Sequence, residues 1–120
     1  MTGPWTFDES RSTLSRLSTL QAGSEDFVKE SHKDYAQKEE AYRLALATKI
    51  TELRAGGESV TLAADLARGD KHVAHLRMLR DVADGVRQAA LQESYRRGAD
   101  RKDAQSLVDW SKRRELAEFA

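Results

Sequence analysis

Between Ser24 and Ala55, apolar side chains recur at spacings of three, four and seven: Val28, Tyr35, Tyr42, Leu46, Ile50 and Leu53, with Ala41 and Ala45 beside them. This period lays one apolar stripe along an α-helix, and no glycine or proline interrupts it over the whole stretch. The opposite face carries Glu25/Lys29, Asp34/Lys38 and Glu39/Arg43, each acid four residues before a base. Such pairs contribute about 0.2 to 0.5 kcal/mol each and mark a solvated surface. Ser24 is placed to cap this helix, with Glu25 and Asp26 in its first turn, and Gly56-Gly57 supplies a stop.

Upstream, Leu14, Leu17 and Leu20 predict a shorter helix that starts after Asp8 as N-cap and ends at Ala22-Gly23. Residues 1 to 8 show no helical period and read as an arm carrying Trp5 and Phe7. Downstream, ESVTLAADLARGD predicts a helix of about two turns, capped by Ser59 or Thr61, that buries Leu62 and Leu66 and ends at Gly69. Asp70 then caps a helix in which Val73, Leu76, Leu79, Ala83, Val86 and Ala90 form a heptad-like seam. Gly85 weakens that helix by about 1 kcal/mol relative to alanine without breaking it, whereas Gly98 either ends it or falls within a continuing one. Leu107, Val108, Trp110, Leu116 and Phe119 define a last helical segment from roughly Asp100 to Glu118.

The expected fold is therefore all-α. Residues 24–98 form a long antiparallel helical hairpin with a short bridging helix, flanked by an N-terminal arm and helix (1–23) and a C-terminal helical segment (99–120). A two-helix hairpin leaves much apolar surface bare, so a second copy is expected to complete an oligomeric bundle through the seam Val73, Leu76, Leu79, Ala83, Val86 and Ala90.

Composition sharpens this picture. Ala, Glu, Lys, Arg and Leu make up half the chain, as in long helices and coiled coils. Leu, Ile, Val and Phe are only 23 of 120 residues, but the net charge is zero, and disorder calls for a large one. No apolar run approaches a membrane span, and the N-terminus lacks a basic-then-apolar signal, so no membrane partner is expected. With no cysteine, disulfide frameworks, thiolate nucleophiles and Cys-ligated zinc are excluded.

Candidate chemistry is sparse. His72 and His75 share a helical face near Asp70, but two ligands are too few for a metal centre, and Lys71 and Arg77 repel cations. His32 lies alone on a charged stretch. Carboxylate pairs such as Glu39-Glu40 and Asp100/Asp103 belong to charge-balanced surfaces, and no P-loop, nucleophile elbow or GxGxxG run is present. No catalytic residue, metal site or cofactor is assigned, and the chain reads as a non-enzyme. The segment TLAADLARGDKHVAHLRMLRD has the outline of a helix-turn-helix, yet Asp65 stands where a small residue is wanted and Asp70 would face phosphate. Arg96, Arg97, Arg101 and Lys102, with Tyr95 near them and Lys112, Arg113, Arg114 and Trp110 beyond, form the candidate nucleic-acid surface; interleaved acids favour a salt-bridged face instead.

Tyr42-Arg43 with its alanine-rich helix, the turn from Gly57 to Thr61, Leu66-Ala67-Arg68-Gly69-Asp70 and the Leu76-Arg77 to Asp81 helix resemble small helical accessory proteins of phages and prophages of Gram-positive bacteria. The resemblance covers residues 42–86. It implies a setting in the bacterial host cytoplasm, in some cases beside replication and recombination genes, and supplies no catalytic residues. The expected function is binding: to itself and to a host factor or a phage protein. The alternative is an accessory role in phage recombination or replication with nucleic acid as a ligand, and a virion role stands third.

Overall fold

A computed structural model describes residues 6–119, with the Phe119 side chain outside the description. Three α-helices account for nearly all of these residues, and none of them is in a strand. α1 runs Phe7–Ala55, α2 Val60–Gly69 and α3 Lys71–Phe119. None is long and apolar enough to cross a membrane. The expectation for Trp5 lies outside the described residues.

Two boundaries differ from expectation. α1 begins at Phe7, not after Asp8, because Thr6 and Glu9 form a capping box: Glu9 N donates to Thr6 Oγ1 at 3.1 Å, and Thr6 N donates to Glu9 Oε2 at 3.0 Å. This satisfies two backbone donors that Asp8 would have left open. The break at Ala22-Gly23 is absent. Ser24 caps nothing; its Oγ donates to the Gln21 carbonyl oxygen at 2.7 Å inside an unbroken helix. A mid-helix glycine costs only about 1 kcal/mol against alanine, and contacts on the N-terminal side of Gly23, described below, hold the helix in register. α3 likewise continues through Gly85 and Gly98.

Where the chain does turn, the chemistry is local. Glu58 N donates to the Leu53 carbonyl oxygen at 3.1 Å and Gly57 N to that of Arg54 at 3.0 Å, a Schellman closure with Gly57 at φ +99°. Ser59 Oγ accepts from Leu62 N and starts α2. Asp70 closes α2 through its own N–H to the Ala67 carbonyl oxygen, and its Oδ2 accepts from His72 N and Val73 N to open α3.

The helices divide into two compact units. The first holds the residues up to Val28 and from Ala90 on; the second is Lys29–Ala89. In the first, Ser10 and Ser111 are buried and their hydroxyls share a 3.1 Å hydrogen bond, Phe7 N donates to Glu115 Oε1 at 3.1 Å, and the Gln21 amide lies against Gly98. Ala90, Ala104 and Val108 fill the rest of its interior. In the second, Arg80 reaches Glu39 at 3.5 Å and Lys49 reaches Asp70 at 3.7 Å. As numbers rise on α1 they fall on α3, so those two segments run antiparallel. The buried α3 positions Ala83, Ala90, Ala104 and Ser111 are multiples of seven apart, and small residues in that phase let helices approach closely.

Candidate interaction surfaces

The second unit is held by a repeated contact. Arg80 lies over the ring of Tyr42 at 4.5 Å and Arg87 over that of Tyr35 at 5.0 Å, a seven-residue step on both helices. Tyr42 is buried beneath its arginine. Arg80 also meets Glu39 and hydrogen-bonds Asp81, and that bond, ahead of the Asp81 and Glu39 charges, raises its already high pKa despite some desolvation. Cation–π pairs of this kind are worth about 0.5 to 2 kcal/mol. Both tyrosines belong to the apolar stripe read from the sequence; their arginine partners have no local signal, since Arg80 lies 38 residues from Tyr42 and Arg87 lies 52 from Tyr35.

α2 inverts the expected burial. Ala63 and Ala67 are fully enclosed, at 0 % exposure, whereas Leu62 and Leu66 are each 46 % exposed, and Val60 is exposed as well. The expectation that Leu62 and Leu66 are buried is therefore corrected. Ten residues tethered by the Gly57 turn at one end and Asp70 at the other cannot rotate freely, and the phase imposed by the tethers turns the alanines inward.

The α3 seam is only partly open. Val73, Ala83 and Ala90 are buried within the chain, Leu76 and Leu79 are half-buried, and Val86 is exposed at 44 %. The open apolar stripe lies to one side of that seam, at Met78 (50 %) and Val82 (59 %) together with Val86, each four residues from the next. Met78 and Val82 fall outside the three-four spacing that defines the seam, which is why pattern reading passed over them.

The four candidate nucleic-acid residues divide into two pairs. Arg96 and Arg97 both bond Glu93, at 2.7 and 2.8 Å, and Arg96 also reaches Asp100 at 3.6 Å. The hydrogen bond with Arg96 holds the Glu93 carboxyl below the usual range, and the same bond raises Arg96. Arg101 and Lys102 are exposed and form no ion pair among the described residues. They line an open cavity of about 400 Å³ in the first unit with Tyr95, which is 73 % exposed, and Gly98, Gln21 and Glu25. Further along α3, the Arg114 guanidinium stacks 4.7 Å from the Trp110 ring, and Lys112 lines a shallow cavity with Phe7, Glu115 and Leu116.

His72, Asp70, Lys49 and Glu52 border another open cavity, of about 410 Å³, in the second unit. Asp70 is committed to capping α3 and to Lys49. His32 and His75 are exposed. No cluster of three or more His, Asp or Glu able to hold a metal ion occurs among the described residues. No protein-family model, curated protein or solved structure matches this chain.

Proposed function

We propose that this chain is a non-enzymatic accessory protein of a phage or prophage that acts in the host cytoplasm by binding protein, with a host factor as its target. The observation that carries this reading is the inverted burial of α2: Leu62 and Leu66 face outward while Ala63 and Ala67 fill the interior. Burying a leucine releases about 1.5 to 3 kcal/mol, so an outward pair beside Val60 is an anchor for a partner's groove. The phage setting rests on the resemblance of residues 42–86. In vivo cross-linking in a lysogenic host identifies the partner, and calorimetry with that purified partner tests the surface. The Leu62→Glu/Leu66→Glu chain is expected to bind at least tenfold more weakly with unchanged helicity; undiminished binding overturns the reading.

A nucleic-acid role is the second reading, favoured by the cavity where Arg101 and Lys102 lie beside Tyr95. It requires fluorescence-anisotropy binding of single-stranded DNA that weakens steeply with salt. Binding should be lost in Arg101→Ser/Lys102→Ser and kept in Arg96→Ser/Arg97→Ser, because Glu93 and Asp100 already pair with Arg96 and Arg97.

A further inference from the structure

In the first unit a Cβ at residue 98 would stand 3.1 Å from Gln21 Nε2. A mid-helix glycine is unfavourable against alanine, but here it lets an amide of α1 lie close to the α3 backbone, in the lining of the open cavity of about 400 Å³. The two segments run antiparallel, as the Ser10–Ser111 and Gln21–Gly98 contacts show. Glu25, one turn beyond Gln21, therefore stands across from Ser94 and Tyr95, one turn before Gly98, while Arg101 and Lys102 lie one turn after it. The cavity has two unlike ends: a carboxylate and an aromatic ring at one, two cations at the other, about 10 Å apart along α3.

The side chains of Gln21, Glu25, Tyr95, Arg101 and Lys102 form no ion pair, cation–π contact or hydrogen bond among the described residues. Two such cations suit any phosphate, and Glu25 opposes all of them alike unless the ligand gives it something to accept. A carboxylate is an acceptor only, so its presence beside Tyr95 favours a ligand that carries N–H donors on a flat ring and negative charge some distance from it. A nucleotide whose base bears an amino group has that form. Cytosine offers its N4 amino group, whereas uracil and thymine present the O4 acceptor at the same place, which a carboxylate repels.

We propose that this cavity holds one nucleotide of a single strand, with the base stacked on Tyr95, the phosphate on Arg101 and Lys102, and Glu25 accepting from the exocyclic amino group, so that the site prefers cytosine to uracil. The inference rests on the nucleic-acid reading and adds base selectivity to it, with Glu25 of α1 as the residue that sets the preference and Gln21 as a second polar group at the base edge.

Fluorescence anisotropy with labelled octamers of deoxycytidine and of deoxyuridine, at about 150 mM salt and pH about 7.5, tests it with the full chain. The deoxycytidine octamer should bind about five- to tenfold more tightly. Glu25→Gln should bring the two octamers within about twofold of each other with helical circular dichroism unchanged, because an amide can donate to O4 as well as accept from N4. If Glu25 acted only by repelling phosphate, the same substitution would tighten both octamers by one factor and leave their ratio as it was. Tyr95→Ala should weaken both about fivefold or more, and Tyr95→Phe should not, since the ring and not the hydroxyl carries the stacking. Equal binding of the two octamers by the parent chain, or a ratio that survives Glu25→Gln, overturns the proposal and leaves the nucleic-acid reading standing. Failure of both octamers to bind overturns the two together.

Discussion

Gly57 and Gly23 show how the same residue type carries opposite consequences. Gly57 sits at φ +99° in the turn that ends α1, a conformation in which a Cβ crowds the following carbonyl. Gly23 lies inside α1 with open space where a Cβ would stand. Gly57→Ala should therefore lower stability by about 1 kcal/mol, and Gly23→Ala should raise it by about 0.5 to 1 kcal/mol, both read from urea unfolding midpoints. Glu93 offers a second test at this scale. Its hydrogen bond to Arg96, with Arg97 also in contact, lowers its pKa. A carboxylate whose folded pKa is depressed contributes stability that is present above its unfolded value, about 4.3, and is lost as pH falls through the folded one. Carbon-13 titration of the Glu93 carboxyl should give a midpoint below that of an ordinary glutamate, and Arg96→Gln should move it upward. A midpoint at the ordinary value would show that the pair does not persist in solution.

Among the elements, α2 is the one whose orientation departs most from its pattern. Reading TLAADLARG by hydropathy alone makes Leu62 and Leu66 the inward pair, because leucine gains more from burial than alanine. The tethers at Gly57 and Asp70 instead turn Ala63 and Ala67 inward, where neither keeps any exposed surface. Enlarging either alanine should then overpack the interior. Ala63→Leu or Ala67→Leu is expected to cost about 1 to 3 kcal/mol, whereas Leu62→Ser should stay within about 0.5 kcal/mol of the parent. Chemical denaturation of the three variants makes the comparison, and equal losses would return the leucines to the interior. The long helices behave differently. Gly23, Gly85 and Gly98 read as possible stops or interruptions in the sequence, yet all are helical. Each costs little beside the neighbouring contacts: Ser10 with Ser111 and Gln21 with Gly98 in the first unit, Tyr35 with Arg87 and Tyr42 with Arg80 in the second.

For the whole molecule, the largest fully buried side chains are Val73, Ser10 and Ser111. Apart from Tyr42, the buried residues among those described are alanine, serine and valine, which bury less apolar area per residue than leucine does. If self-association adds further apolar burial, as the sequence led us to expect, the thermal midpoint must depend on protein concentration by mass action. The midpoint measured by circular dichroism is expected to rise by several degrees between 1 and 100 µM. A midpoint that does not move in the parent chain would show that one copy is stable by itself.

The sequence by itself determined the helical class, the Gly56-Gly57 stop, the start of α2 at Ser59 or Thr61, of which the structure uses Ser59, and the capping of α3 by Asp70. Each depends on residues within a few positions of one another, where backbone hydrogen bonds and glycine's conformational range decide the outcome. Thr6 and Glu9 were equally local, and their capping box was legible in the spacing of three. Tertiary structure alone decided which side of α2 turns inward, that Arg80 and Arg87 cover Tyr42 and Tyr35, and that Arg101 and Lys102 share an open cavity with Gln21 and Glu25 of α1, whereas the bonds from Glu93 to Arg96 and Arg97 are local to one helix. In α2 and in the tyrosine contacts the outcome depends on segments distant in the chain. Around Glu93 it depends on rotamers chosen among several nearby acids, and a one-dimensional pattern encodes neither choice.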